Sequence, residues 1–154
     1  MIGDPFCATT HVDLFLRAKQ RGINVQVIHN ASIMNAVGCC GLHVYDFGPT
    51  ISMCFFTETW KPQSWYEKIK KNRENNSHTL VLLDIRVKEI SDENLKLKKK
   101  IYEPPRFMSC KVCAEQLLQT EKEKGGNAYD ENTMCVGLAR VGQKDQKIVY
   151  GSLK

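Results

Sequence analysis

The chain has 154 residues, 42% of them hydrophobic, enough to bury one core or two small ones. No apolar run is long enough to cross a bilayer, and no charged-then-apolar signal segment stands before the first turn, so the expectation is a soluble, cytoplasmic protein. The seven cysteines are odd in number and include the vicinal Cys39-Cys40, which argues for reduced thiols used as small apolar side chains and against a secreted disulfide scaffold.

The net charge of +5 collects in two runs: Lys68, Lys70, Lys71 and Arg73, then Lys96, Lys98, Lys99 and Lys100. Both read as solvated helix faces. No aromatic residues are interleaved with them in a stacking pattern, which gives direct nucleic-acid binding little support. In chain order, a Gly3-Asp4-Pro5 turn comes first. Thr10 with Asp13 then fits a capping box for a helix bearing Leu14, Phe15 and Ala18, closed by Gly22. Residues 23–29 (INVQVIH) alternate and predict a strand with Val25 and Val27 on one face. Residues 31–42 predict a helix with Ile33, Val37 and Cys40 on one side and the small Ala36, Gly38, Cys39 and Gly41 elsewhere. Asp46-Phe47-Gly48-Pro49 reads as a linker.

Residues 51–56 (ISMCFF) predict a second strand. Ser64 with Glu67 predicts another capping box, opening a helix to about Asn75 with Trp65 and Ile69 turned inward. Residues 79–85 (TLVLLDI) are nearly all apolar and predict a central strand covered on both faces. A polar helix follows over 92–99, and Pro104-Pro105 cannot continue it. Ser109 caps a helix carrying Val112, Cys113 and Leu117. Residues 133–141 form a strand with a large face (Met134, Val136, Leu138) and a small one (Cys135, Gly137, Ala139), paired with 146–153 across a turn. The rhythm is that of an α/β protein.

Site chemistry is sparse. There is no Gly-x-Ser-x-Gly, P-loop or His-Glu-x-x-His. Cys110-x-x-Cys113 is a single pair on an apolar helix, which reads as core packing and not as a metal site. The four histidines are scattered, and no catalytic residue stands out. Asp4, between a strand end and a helix, occupies the place where open α/β sheets bind ligands, and Ser32 opens a second helix with hydroxyl and backbone donors. Each of these features alone is equally a capped turn.

The blocks GDPFCATTH, VIHNASIMNAVGCCGL, TETWKP, TLVLLDI, KIYEPPRFMS and CVGLARVG, in this order and spacing, resemble the diphthine synthases, of the tetrapyrrole-methylase-like class of S-adenosylmethionine methyltransferases. The Cys-Cys form of the VGCCGL block is similar to the eukaryotic branch. The resemblance implies two α/β/α layers with S-adenosylmethionine in the cleft between them, a homodimer, and methyl transfer to a modified histidine of elongation factor 2. It further implies cofactor contacts from Asp4, Ser32, Ile33, Leu83 and Val141, with Asp4 at the polar end of the cofactor and Leu83 and Val141 walling the adenosine. Cys7 stands where the family has glycine, beside the cofactor. Residues 1–45 correspond to the C-terminal part of the cofactor-binding domain, 46–50 to a linker, and 51–154 to a second domain incomplete at its C-terminus. The resemblance also makes the chain an internal piece, with Met1 standing where an apolar strand leads into the turn. Two other expectations compete: a catalytically inactive piece that keeps a dimerisation or elongation factor 2 binding surface, and a nucleic-acid-associated protein supported by lysine runs alone.

Overall fold

Helix α1 (His11–Gln20) begins directly after Thr10, but the expected capping box is not made. Thr9 Oγ1 instead lies 3.0 Å from His11 Nδ1, and Asp13 pairs with Arg17 at 2.9 Å. Gly22, at φ 68°, closes the helix as expected, its N–H donating to Lys19 O. This computed structural model describes residues 3–154; the expectation for Met1 lies outside the described residues. Residues 23–29 do not form a strand. Their alternation survives, with Val25 and Val27 half-buried between exposed neighbours. The backbone of residues 24–28 has no hydrogen-bonded partner among the described residues, and a strand exists only as one side of a ladder.

The helix expected over 31–42 divides into α2 (Ile33–Ala36) and a 3₁₀ turn, Val37–Cys40, ended by Gly41 at φ 88°. Val37 is buried. A second 3₁₀ turn, Val44–Asp46, leads out.

The chain then runs through β1 (Ile51–Met53), α3 (Tyr66–Glu74) and β2 (Val81–Leu83). β1 and β2 are parallel, with Ile51 opposite Val81 and Met53 opposite Leu83, so β1–α3–β2 is the crossover unit of an α/β fold. α3 starts two residues after Ser64, with no side-chain cap. Trp65 and Ile69 are nonetheless buried, as the spacing predicts, together with Tyr66 and Asn72. Asn72 is 1% exposed, and its Nδ2 donates to Pro49 O at 3.1 Å and to Thr79 Oγ1 at 2.8 Å, tying the helix to both strand entries.

The expected central strand over 79–85 is two strands. After β2 the chain changes partner, and β3 (Ile85–Arg86) pairs antiparallel with β4 (Arg106–Phe107). β2 is half-buried, not covered on both faces. Between β3 and β4, α4 (Asp92–Lys96) is capped by Ser91. Helix α5 (Cys110–Lys124) starts as expected, with Ser109 Oγ accepting from Val112 N at 3.2 Å, and ends on Gly125 at φ 62°. It buries Cys113 and Leu117 against Ile51, Met53, Tyr66 and Tyr129. Burial pushes the Cys113 thiol up to about 12, the behaviour of a packing group. Glu121 fastens the loop after α5, accepting from Tyr66 Oη at 2.9 Å and from the amides of Asn127 and Ala128.

β5 (Met134–Ala139) pairs with β6 (Lys147–Ser152) across a short turn. The small face at Gly137 packs against α5: a Cβ there would lie 3.2 Å from Cys110 Sγ. Two compact units result. One contains the residues up to Tyr45 with Leu138–Ile148, the other Asp46–Gly137 with Val149–Lys154.

Candidate functional site

In the first unit, the opening turn is folded around one carboxylate. Asp4 Oδ1 accepts from the Phe6 amide at 2.9 Å; Oδ2 accepts from the Asn30 amide at 3.2 Å and lies 2.8 Å from His29 Nδ1. Asp4 N–H donates to Ala31 O at 3.0 Å, so the turn is laced to the entry of α2. The Asp4 side chain is 7% exposed, that of His29 73%. The Phe6 amide first, then the His29 ring, and after a smaller opposing push from burial the Asn30 amide and Cys7 thiol, hold the Asp4 carboxyl far below the usual carboxylate range. Asp4 is therefore ionised and already hydrogen-bonded, with its lone pairs used inside the protein.

The same turn has donors to spare. The backbone N–H groups of Cys7, Ala8 and Thr9 have no partner among the described residues, and Ala8 stands at φ 53°. Cys7 is half-buried and is not among the positive-φ residues, so its backbone has no need of the glycine that the resemblance implies there. Ser32 is the N-cap of α2: its Oγ accepts from Met34 N at 3.2 Å, and Asn35 Oδ1 returns an acceptor to Ser32 N at 3.1 Å. Ile33 and Val141 are half-buried in this unit. Beside the turn, α1 and residues 25–30 enclose a groove of about 530 Å³ lined by Phe6, Leu14, Phe15, Ala18, Val25 and Val27.

Leu83 lies in the second unit, at the carboxyl end of β2 and opposite Met53. Open α/β sheets bind ligands at this edge. Immediately beyond it stands a group of side chains that the sequence reading did not single out. Asp84 Oδ2 accepts from the Phe55 amide at 3.1 Å and from Arg86 Nε at 2.9 Å. Arg86 also donates to Glu89 Oε1, while Arg106 Nε and Nη2 donate to Glu89 Oε2 at 3.1 and 2.8 Å. Both guanidiniums lie over the Phe55 ring, at 5.6 and 5.1 Å from its centre. Burial pushes the Asp84 carboxyl up, but the Phe55 amide and Arg86 outweigh it and hold it below the ordinary value; Arg86 and Arg106 do the same for Glu89. Arg86-x-x-Glu89 spacing was a readable signal; the arrival of Arg106 was not.

The structure thus joins Asp4 to the entry of α2, which Ser32 caps, and places Leu83 directly before Asp84, the residue that holds Arg86. Among the described residues no group of three or more His, Cys, Asp or Glu side chains has the arrangement of a metal site, and no helix is long and apolar enough to cross a membrane.

Diphthine methyl ester synthase from Dictyostelium discoideum is 60% identical over 154 residues, covering 100% of this chain and 56% of that protein. The Homo sapiens protein of the same name is 60% identical over 158 residues, covering 100% of this chain and 55% of its own length. A crystal structure of a candidate diphthine synthase from Entamoeba histolytica has a TM-score of 0.84 at 57% identity, covering 98% of this chain and 55% of that one. The chain therefore spans about half the length of the curated relatives it matches. The family model for tetrapyrrole (corrin/porphyrin) methylases runs through residues 1–154, all of the chain, and with the parallel β1–α3–β2 unit and these relatives it makes the chain a member of the tetrapyrrole methylase family.

Proposed function

We propose that this chain belongs to an S-adenosylmethionine-dependent methyltransferase of diphthamide biosynthesis, which methylates the modified histidine of elongation factor 2 to diphthine methyl ester. The observation that carries the reading is the 60% identity to diphthine methyl ester synthases over every residue of the chain. The protein is cytoplasmic and homodimeric in this reading. Residues 1–45 belong to the cofactor-binding domain, 46–50 to a linker and 51–154 to a second α/β domain.

The residues proposed to hold the cofactor are Asp4, Cys7, Ser32, Ile33 and Val141 in the first unit and Leu83 in the second. Their chemistry fits such a ligand. The unpaired N–H groups of residues 7–9 are free to donate to its oxygen atoms. The half-buried Ile33, Val141 and Leu83 offer apolar surface to an adenosine. Asp4 acts by holding the turn: its carboxylate is taken by Phe6, His29 and Asn30, so it shapes the donor loop at residues 7–9. Sulfonium activation makes the methyl group of the cofactor transferable without a strong general base on the protein. The chain's own task is to orient an acceptor and exclude water.

The test is transfer of radiolabelled methyl from S-adenosylmethionine to elongation factor 2 taken from cells that lack the activity. Incorporation above a no-protein blank, reduced by Asp4→Ala, is the expected result. Capture of elongation factor 2 without transfer would replace this reading with that of a binding piece.

A further inference from the structure

Arg86 and Arg106 are directly opposite each other in the β3–β4 ladder. Like charges placed so are destabilising, and a sheet built for stability alone avoids them. Here both guanidiniums are also laid on the same ring, Phe55. Glu89 bridges the two through its separate oxygens, and Asp84 fixes Arg86 from the other side. Places where a sequence breaks a local rule and then builds supports around the breach are expected at functional sites.

The supports leave donors unused. Arg86 is held through Nε and Nη1, and Arg106 through Nε and Nη2, so Nη2 of Arg86 and Nη1 of Arg106 have no partner among the described residues. Arg106 is 53% exposed and Arg86 half that, so both can reach a ligand. Pre-oriented guanidinium N–H groups match the two oxygens of a carboxylate. The location is right as well: Phe55 follows the end of β1 and Asp84 follows the end of β2, on the ligand-binding edge of the parallel pair.

We propose that Arg86 and Arg106, with Phe55 as their floor, form a carboxylate-binding pair that positions an amino-acid-like ligand beside Leu83. Only the identity of the ligand rests on the methyltransferase reading. Two carboxylates could be the natural occupant: that of the cofactor's methionine end and that of the amino-acid group on the acceptor histidine. The chemistry recognised is the same.

A probe independent of methyl transfer comes first. The chain is titrated with L-2-aminobutyrate and, separately, with propylamine, which lacks the carboxylate, while the arginine Nε–Hε NMR signals are followed. Signals of Arg86 and Arg106 should move with aminobutyrate and stay still with propylamine. Arg106→Gln and Arg106→Lys, which both lose the fork, should each weaken the response of Arg86 by about tenfold. No movement, or equal movement with both probes, overturns the proposal whether or not the protein transfers methyl groups. Calorimetry with S-adenosylhomocysteine and a kinetic split on elongation factor 2 then identify the source. A comparable loss of S-adenosylhomocysteine affinity in Arg106→Gln assigns the pair to the cofactor. A raised KM for elongation factor 2, with kcat and S-adenosylhomocysteine affinity kept, assigns it to the acceptor. Both quantities unchanged would overturn the positioning role.

Discussion

Gln116 holds the segment on which the arginine pair rests. It projects from α5 and is 7% exposed; its Nε2 donates to Cys54 O at 2.8 Å, and its Oε1 accepts from the Phe56 amide at 3.1 Å. These two bonds clamp the residues on either side of Phe55. Gln116→Leu keeps the volume and removes both bonds, so no cavity confuses the result. Each abandoned partner costs about 1–3 kcal/mol when buried. Cys54 and Phe56 are only half-buried, so water recovers part of that, and leucine regains roughly 1 kcal/mol by apolar burial. The net loss should be about 1–3 kcal/mol, or roughly 2–12 °C in Tm for a chain of this size. Urea unfolding followed by the fluorescence of buried Trp65 measures it. Gln116→Glu sharpens the test. Its carboxylate would still accept from Phe56 but would face the Cys54 carbonyl, which raises its folded pKa. The stabilisation it gives is present while it is protonated and is lost as pH rises through that value, so this variant should be stabler in acid relative to wild type than at neutrality. A leucine variant within about 0.5 kcal/mol of wild type would refute the clamp.

Gly48→Ala should cost about 1–3 kcal/mol by overpacking, because its Cβ would lie 2.2 Å from Oδ1 of buried Asn72; an unchanged thermal midpoint would show that Asn72 moves freely. Asp84 and Glu89 both have folded pKa values below their ordinary ones, so their contribution is complete above the ordinary carboxylate range and is lost as pH falls through the depressed values. Circular dichroism should accordingly show a flat stability from neutral to weakly acidic pH and a steep loss below, shallower in Glu89→Gln. Asp4→Asn should release the opening turn, seen as faster amide exchange at Phe6 and Asn30 with α5 unaffected. Equal protection in both forms would mean that the turn is held by something other than this carboxylate.

Local chemistry was legible in the sequence wherever one residue acts on its near neighbours. Ser32 and Ser109 cap the helices that follow them, Gly22 supplies the positive φ that ends α1, and the spacing of Trp65 and Ile69 gave the buried face of α3. The same pattern misled where competing partners were close by. Thr10 and Asp13 have capping-box spacing, yet Asp13 is drawn to Arg17 one turn on. Residues 23–29 have the alternation of a strand, but alternation specifies which side chains face inward and says nothing about whether a neighbour is present to pair.

The two strand endings at the candidate site show the limit most clearly. Residues 51–56 and 79–85 read as uninterrupted strands, because apolar runs carry no mark of where a ladder stops. β1 stops at Met53 because the amides of Phe55 and Phe56 turn to Asp84 and Gln116, which are 29 and 60 residues away. β2 stops at Leu83 because the Asp84 carbonyl accepts from the Met108 amide at 2.9 Å, beside β4, so the backbone has already changed partner. A side chain that ends one strand by capturing the backbone of another cannot be found by periodicity, since neither segment contains both halves of the bond. Yet such captures free the backbone from the sheet at the ends of parallel strands, and there a ligand can be met by side chains held in place. Asp84 thus ends β1 and orients Arg86 with one carboxylate. The residues hardest to read from the sequence were therefore the ones that assemble the edge where function is expected.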